Sequence, residues 1–369
     1  MVTGYVTDNV TRREPVTDDK RFSLVLSGGG LKGLSHVGVF RALDENGMAP
    51  AMVVGSSMGS LVAAAWAAGM PIDRMQRQAM RVRRRDVFRV AHADMALRRM
   101  QAPAVYRREP LERLIHSLVG DRTFDQLHHP LVINTVDIDS GRQVLWGTPG
   151  LRDVPVADAV FASCALPGLF PPREIEGHHY CDGALVTNLP VRAALALGQA
   201  PVVAVDVGAT GLVRSRDERI GFASTWVRGL EIVMRTMLEG ATRHWRGRPV
   251  LLVEPRVEHV SMFSFSDSRE IIEEGYRATS EALGHYSRRL FEGRPGIYPQ
   301  RRVHVAIDRH RCVGCGACIM RAPEVFRGGP DGLAEVIEPA QTWSPFDGDY
   351  VRNCPTHAIT ARLVAGPSG

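Results

Sequence analysis

The apolar and polar positions divide the chain into a long front part and a short rear one. Phe22–Leu26 (FSLVL) is a continuous apolar run that ends in Ser27-Gly28-Gly29-Gly30, and a helical spacing through Val37, Phe40 and Leu43 follows. Met52–Val54 is a second short apolar run, with an alanine-rich helical stretch at Ser60–Ala68 behind it. Leu131–Val136 (LVINTV), Pro201–Val207 (PVVAVDV) and Leu251–Glu254 read as further buried strands, and Arg269–Leu290 as a long helix. Strands written as unbroken apolar runs and alternating with helices predict an α/β fold, a mostly parallel sheet covered by helices on both faces.

The pattern then changes. Residues 291–301 are rich in Pro, Gly and Arg and read as a linker. Residues 302–369 form a small α+β unit, opened by the strand Val303–Ile307. Residues 1–20 are polar and charged without an apolar core and read as a flexible tail, which leaves residues 21–290 as the main domain. Residues 46–72 carry no charge, but Gly47, Pro50, Gly55, Gly59, Gly69 and Pro71 interrupt them. A spanning helix needs about 20 consecutive apolar residues, so the expectation here is a buried strand, a tight turn and a buried helix.

Composition narrows the class. In 369 residues, 44% are hydrophobic and 23% charged, the balance of a soluble globular protein rather than a disordered or fibrous one. The net charge of +5 suits an anionic surface without demanding nucleic acid. Lys20 and Lys32 are the only lysines, a bias toward arginine that reads as a habit of the coding sequence. Residues 74–100 hold nine arginines against two aspartates, with Met75, Met80, Val82, Val87, Phe88, Met95, Leu97 and Met100 between them. Two readings remain open: an arginine-rich solvated helix with an apolar core face, or a surface that meets anionic lipid.

Three elements carry candidate acyl-transfer chemistry. Gly55-Ser56-Ser57-Met58-Gly59 fits G-x-S-x-G between a strand and a helix, where small residues allow the sharp turn that projects a nucleophilic Ser57. Ser27-Gly28-Gly29-Gly30-Leu31-Lys32-Gly33 follows the first strand, and its backbone N–H groups suit an anion at a helix start. A dinucleotide loop fits G-x-G-x-x-G, but no acidic residue ends the second strand, so an oxyanion hole is the better reading. Asp182-Gly183 lies 125 residues after Ser57 and by itself is a plain turn.

The order SGGGLKG, GSSMG, FASCALPGLFPP and DGALVTNLPV resembles the patatin-like phospholipases, including bacterial members similar to neuropathy target esterase, over about residues 21–290. The resemblance implies a patatin-like fold and lipid acyl-ester hydrolysis of the phospholipase A or lysophospholipase type. It also implies a Ser–Asp dyad, with Ser57 as nucleophile, Asp182 as base, and Gly28, Gly29 and Gly30 as the oxyanion hole. Lys32 stands where such enzymes commonly carry a basic residue. A Ser…Asp…His triad drawing on His244 or His259 is the competing arrangement. His36 is read as structural, and Cys164 and Cys181 as small buried residues.

The rear unit carries Cys312-Val313-Gly314-Cys315-Gly316-Ala317-Cys318, with Cys354-Pro355 downstream. Three cysteines at C-x2-C-x2-C and a remote Cys-Pro suit the corners of an iron–sulfur cube; a four-cysteine zinc site is the alternative. With DGLAEV and NCPTHAI, the segment Val303–Val364 resembles a single-cluster bacterial ferredoxin, which implies one [4Fe–4S] cluster on Cys312, Cys315, Cys318 and Cys354. Over residues 302–369 seven arginines balance seven acids, unlike the acidic surface of many soluble ferredoxins.

The combined expectation is a cytoplasmic serine lipid hydrolase, peripheral at the inner membrane face, with a ferredoxin-like module for redox coupling, regulation or stability. Its expected partners are a phospholipid or lysophospholipid substrate, an anionic membrane and a redox partner protein. A lipid-binding electron-transfer protein and an acyltransferase using the same serine are the rival classes.

Overall fold

The computed structural model describes residues 21–91, 104–198, 201–208, 221–257, 260 and 267–364. The tail expected at 1–20 and the part of the arginine-rich segment at 92–100 lie outside them.

Nine strands make the main sheet: β1 (Ser23–Leu26), β2 (Met52–Ser56), β3 (Leu131–Asp137), β4 (Arg142–Trp146), β5 (Arg173–Ile175), β6 (His178–Asp182), β7 (Val202–Val205), β8 (Pro249–Val253) and β9 (Gly296–Tyr298). Their spatial order is β5-β6-β3-β2-β1-β7-β8-β9, with β4 paired to β3. The stretch from β3 through β2, β1, β7 and β8 to β9 is parallel, and β4, β5 and β6 run antiparallel. The unbroken apolar runs follow from burial on both faces. Leu24, Leu26, Val53 and Ile133 enter one core, while Val25, Val54 and Val132 enter the other.

The helices of this part are α1 (Ser35–Glu45), α2 (Met58–Ala67), α3 (Ile72–Arg81), α4 (Glu109–Val119), α5 (Val156–Cys164), α6 (Val191–Leu197), α7 (Phe222–Ala241) and α8 (Ser268–Phe291). The uncharged stretch at 46–72 resolves as expected into β2, a turn and the buried α2. No described helix is long and apolar enough to cross a membrane.

Gly296–Tyr298, inside the segment expected to be a linker, is instead a buried strand paired with β8. Only Pro299 and Gln300 separate it from β10 (Arg301–Ile307), the first strand of the rear unit. Pro and Gly marked a break in composition, yet β9 is a sheet edge, where such residues are tolerated. In the rear unit β10 lies between β13 (Ala340–Trp343) and β14 (Ile359–Leu363), with a hairpin of β11 (Phe326–Gly328) and β12 (Ala334–Val336) beside it. Val303, Val305, Phe326, Tyr350 and Ile359 form its own small core.

The two units also meet through side chains. Phe346 packs on the core of the main domain, and the Arg235 guanidinium on α7 sits 4.6 Å over its ring. Glu239 accepts from Arg235 Nε at 3.0 Å and from Arg352 at 2.8 Å, and Arg246 pairs with Asp347.

Candidate active site and cysteine cavity

Ser57 occupies a backbone conformation that side chains rarely adopt, with φ 51° and ψ −127°. Such strain costs about 1–3 kcal/mol and persists only where neighbours over-determine it. Here the Ser57 N–H donates to Ser163 Oγ at 2.9 Å, and Ser163 Oγ donates to the Asn134 carbonyl at 2.7 Å. Asn134 in turn donates to Ser56 Oγ and to the Thr187 carbonyl. The turn therefore rests on a buried polar scaffold drawn from β3, α5 and the loop after β6. Gly59 permits the next step of the chain, because a Cβ there would lie 2.4 Å from the Leu26 carbonyl oxygen.

The end of β6 delivers Asp182, which is 2% exposed. Its Oδ1 accepts from the Ala184 N–H at 2.9 Å. Burial pushes its carboxyl up to about 7, against the opposing pull of the Ala184 N–H and of a hydrogen bond with the Ser57 side chain. A carboxyl poised near neutrality beside a serine hydroxyl has the protonation range a general base requires.

The glycine loop closes over the same space. Gly28, Gly29, Gly30, Ser57 and Asp182 line one cavity of about 560 Å³, with Phe88, Leu166, Leu169, Phe170 and Met234 as apolar walls. Gly28 lies against Ser57, and a Cβ there would come within 2.7 Å of the Ser57 Cβ. However, the Gly28 N–H is already committed to Asn188 Oδ1 at 3.0 Å, while Asn188 Nδ2 donates back to the Gly28 carbonyl at 3.2 Å. Gly28 therefore shapes the loop rather than offering a free donor. Gly29 and Gly30 stand at the open start of a 3-10 turn, Gly30–Leu34, where N–H groups lack helical partners.

Lys32, expected in the oxyanion hole, is not on the wall of this cavity. It is buried in the 3-10 turn, and its charge lies within electrostatic reach of the buried Asp206 carboxylate. Asp206 itself is pushed up by burial and held down by the Gly208 N–H, Arg235, Ser27 and Lys32. The sequence pattern carried no signal for this group. Nor did it assign a role to Asn188, although it lies inside the DGALVTNLPV motif, because a clamp on a glycine loop has no periodic signature.

His36 is fully buried with Nε2 2.9 Å from the Ser27 carbonyl, and burial lowers its pKa to about 4. It holds the loop as a neutral ring, as expected of a structural residue. His244 is exposed on a 3-10 turn away from the cavity lining, and His259 lies outside the described residues. Cys181 is buried, which pushes its thiol up to about 12. Cys164 is raised further by burial and lines the cavity of Ser57 and Asp182. Of the arginine-rich segment, Met75 and Val87 enter the core, Phe88 reaches the cavity, and the arginines from 74 to 89 are exposed.

In the rear unit, Cys312, Cys315, Cys318 and Cys354 line one cavity of about 350 Å³ with Ile307, Ala317, Pro355 and Ile359. All four are free thiols, with Cys315 exposed. Gly314 (φ 68°) and Gly316 (φ 73°) supply the left-handed turns that wrap the loop. The Ala358 N–H donates to Cys354 Sγ at 3.3 Å, the kind of backbone contact that supports a sulfur ligand. Four converging thiols, an apolar wall and a donated N–H fit an iron–sulfur cluster.

Comparison with known proteins agrees with both halves. Residues 24–195 match the patatin-like phospholipase family model, and residues 305–361 match a 4Fe-4S single cluster domain. An uncharacterized NTE family protein of Mycobacterium tuberculosis is 28% identical over 207 residues, covering 56% of this chain and 54% of that protein. A lysophospholipase of Mycosarcoma maydis is 33% identical over 187 residues, covering 50% of this chain and 10% of that protein. The chain thus spans about half the length of the mycobacterial relatives. VipD from Legionella pneumophila, a solved structure, aligns with a TM-score of 0.45 at 17% identity over 72% of this chain and 67% of its own. With its parallel sheet and glycine loop, the region 24–195 is thus similar to the patatin-like phospholipase family, and in the same chain residues 305–361 are similar to a 4Fe-4S single cluster domain.

Proposed function

We propose that this protein is a lipid acyl-ester hydrolase of the phospholipase A or lysophospholipase type. One observation carries the reading: Ser57, Asp182 and the glycine loop line a single cavity with apolar walls. The Ser57 Oγ attacks the acyl carbonyl carbon while its proton passes to the Asp182 carboxylate. The N–H groups of Gly29 and Gly30 receive the negative charge that develops on the carbonyl oxygen. Asp182 then protonates the departing alcohol oxygen. Water attacks the acyl-Ser57 ester and gives its proton to Asp182, which passes it to the departing Ser57 Oγ as the carboxylic acid is released. Phe88, Phe170, Leu166 and Met234 hold the acyl chain and exclude water from the ester.

The four cysteines would hold one [4Fe–4S] cluster, which supplies a one-electron store when bound. The exposed arginines at 74–89 fit an anionic lipid surface as the source of substrate. The test is release of fatty acid from a lysophospholipid by anaerobically purified protein, with Ser57→Ala as the blank. Serine-dependent release is expected. Equal release by wild type and Ser57→Ala would overturn the reading.

A further inference from the structure

A second cavity lies on the other side of the nucleophile turn. It has a volume of about 530 Å³ and is bounded by α1, α2, α3 and α4. Leu31, Val37, Leu61, Met75, Ala79 and Leu118 are typical of its lining, in which Gln78 is the only polar side chain among the described residues. Its walls include Leu31 and Met58, the immediate neighbours of Gly30 and Ser57, yet it shares no lining residue with the catalytic cavity. Its lining is too apolar for a polar ligand.

Its rim is different in kind. Gln78, Val82 and Leu114 form a wall common to this cavity and to an adjoining one of about 570 Å³, lined also by Arg81, Arg85 and Arg113. All three arginines are exposed. The one acid there, Asp86, accepts the Arg83 N–H at 2.8 Å and lies 4.0 Å from Arg85. Among the described residues no carboxylate pairs with Arg81 or Arg113. The nearby acids are engaged elsewhere: Glu112 with Arg173 at 2.9 Å and Asp73 with Arg77 at 2.6 Å. A deep apolar cavity beside a mouth with surplus positive charge has the complementarity of an anionic amphiphile.

We propose that this cavity is an accessory lipid site that binds one long-chain fatty acid. The chain lies among Val37, Leu61, Met75 and Ala79, and the carboxylate meets Arg81, Arg85 and Arg113. This mouth does not open beside Ser57, so the bound molecule is not a substrate awaiting attack. It packs instead behind the backbone that carries the nucleophile and the glycine loop.

The experiment uses full-length Ser57→Ala protein, in which no turnover interferes, titrated with a fluorescent long-chain fatty acid and with unlabelled acids of increasing length as competitors. One site per chain is expected. Affinity should rise about fourfold per added methylene until the cavity is filled and then level off. Ala79→Trp, which fills the cavity, should weaken binding at least tenfold. Leu166→Trp, which fills the catalytic cavity, should leave it unchanged. The reverse pattern would assign the binding to the catalytic cavity and overturn the proposal. Because an Ala79→Trp chain may simply misfold, the exposed triple variant Arg81→Glu, Arg85→Glu, Arg113→Glu gives a second reading. It should weaken fatty-acid binding tenfold or more while leaving a fatty alcohol of equal length unaffected. Equal loss for acid and alcohol, or no loss for either, would refute the carboxylate site. Binding seen only with anionic vesicles and never with monomeric acid would also refute it, in favour of surface adsorption. Absence of serine-dependent hydrolysis would sink the functional reading above without touching these binding results.

Discussion

The buried carboxyl of Asp182 sets stability against function, and the conflict has a definite dependence on pH. In the folded chain it titrates near 7, whereas an exposed aspartate titrates at 3.8, and burial is the main cause. Between those values the folded protein holds a proton that the unfolded chain releases. Folding stability from this group is therefore fully present below pH 3.8 and is lost as pH rises through 7. The shift of about three units corresponds to roughly 4 kcal/mol at 1.36 kcal/mol per unit. Asp182→Asn removes the titration and keeps an acceptor for the Ala184 N–H, 2.9 Å away. The variant should then gain stability over wild type as pH increases, by roughly 3 kcal/mol between pH 5 and pH 8. At about 2–4 °C per kcal/mol, its melting temperature should move ahead of wild type by ~6 °C or more over that range. Every other titrating group is common to both proteins, so the difference isolates Asp182. The same substitution should abolish hydrolysis, and the wild-type kcat/KM should rise tenfold per pH unit before levelling near pH 7. Paired thermal melts and pH–rate profiles check both. A melting difference that stays constant from pH 5 to pH 8, or an Asn variant that retains activity, would refute the argument.

Three further outcomes follow from the geometry. Asn188→Ala removes both hydrogen bonds to Gly28 and should cost about 1–3 kcal/mol in stability. It should also lower kcat at least tenfold with a smaller effect on KM, read from steady-state kinetics. Gly59→Ala drives a Cβ into the Leu26 carbonyl oxygen, a backbone atom that cannot yield cheaply, so soluble yield and melting temperature should both fall. Cys354→Ala should lower bound iron and the melting temperature of the rear unit, measured by iron analysis and calorimetry, while the free main-domain thiols Cys164 and Cys181 stay unreactive because burial keeps them protonated.

The parallel strands were legible because burial on both faces writes them as unbroken apolar runs, as in Leu131–Val136 and Pro201–Val207. The antiparallel extension was harder to read. Arg142–Trp146 has two of its five positions exposed and only one buried and sits at the margin of the sheet, so its composition resembles a loop. Gly296–Tyr298 hid inside a Pro/Gly-rich stretch for the same reason. At the site, Ser57 was legible in a turn motif with a steric demand for glycine, whereas Asp182-Gly183 by itself read as a plain turn and stood out only through the resemblance of the wider motif order. The supports of the turn, Ser163 and Asn134, are single polar residues inside apolar elements, and only tertiary contact reveals their purpose. Lys32 stood in the right place in the sequence, but the 3-10 turn rotates it off the cavity wall.

Helix α7 links the two halves of the molecule. Met234 forms part of the wall of the Ser57 cavity, and its neighbour Arg235 turns away toward the cysteine-bearing unit. Arg235 is only 9% exposed, and a guanidinium so buried requires partners. It has them on both sides: Phe346 and Glu239 toward the rear unit, and the electrostatic pull on buried Asp206 toward the glycine loop. Phe346 holds a left-handed conformation, φ 71°, that a phenylalanine adopts only at a cost. Its packing against the main-domain core and under Arg235 offsets that cost, which ties the fold of the small unit to contact with the large one. Glu239 receives Arg352 from the rear unit on the same carboxylate oxygen that receives Arg235. The rear unit therefore supplies one partner of Arg235, Phe346, while Arg235 acts electrostatically on Asp206, whose Oδ1 accepts from the Gly208 N–H on the wall of the Ser57 cavity. The cysteine-bearing unit thus packs on the same helix that supplies Met234 to the cavity of Ser57 and Asp182.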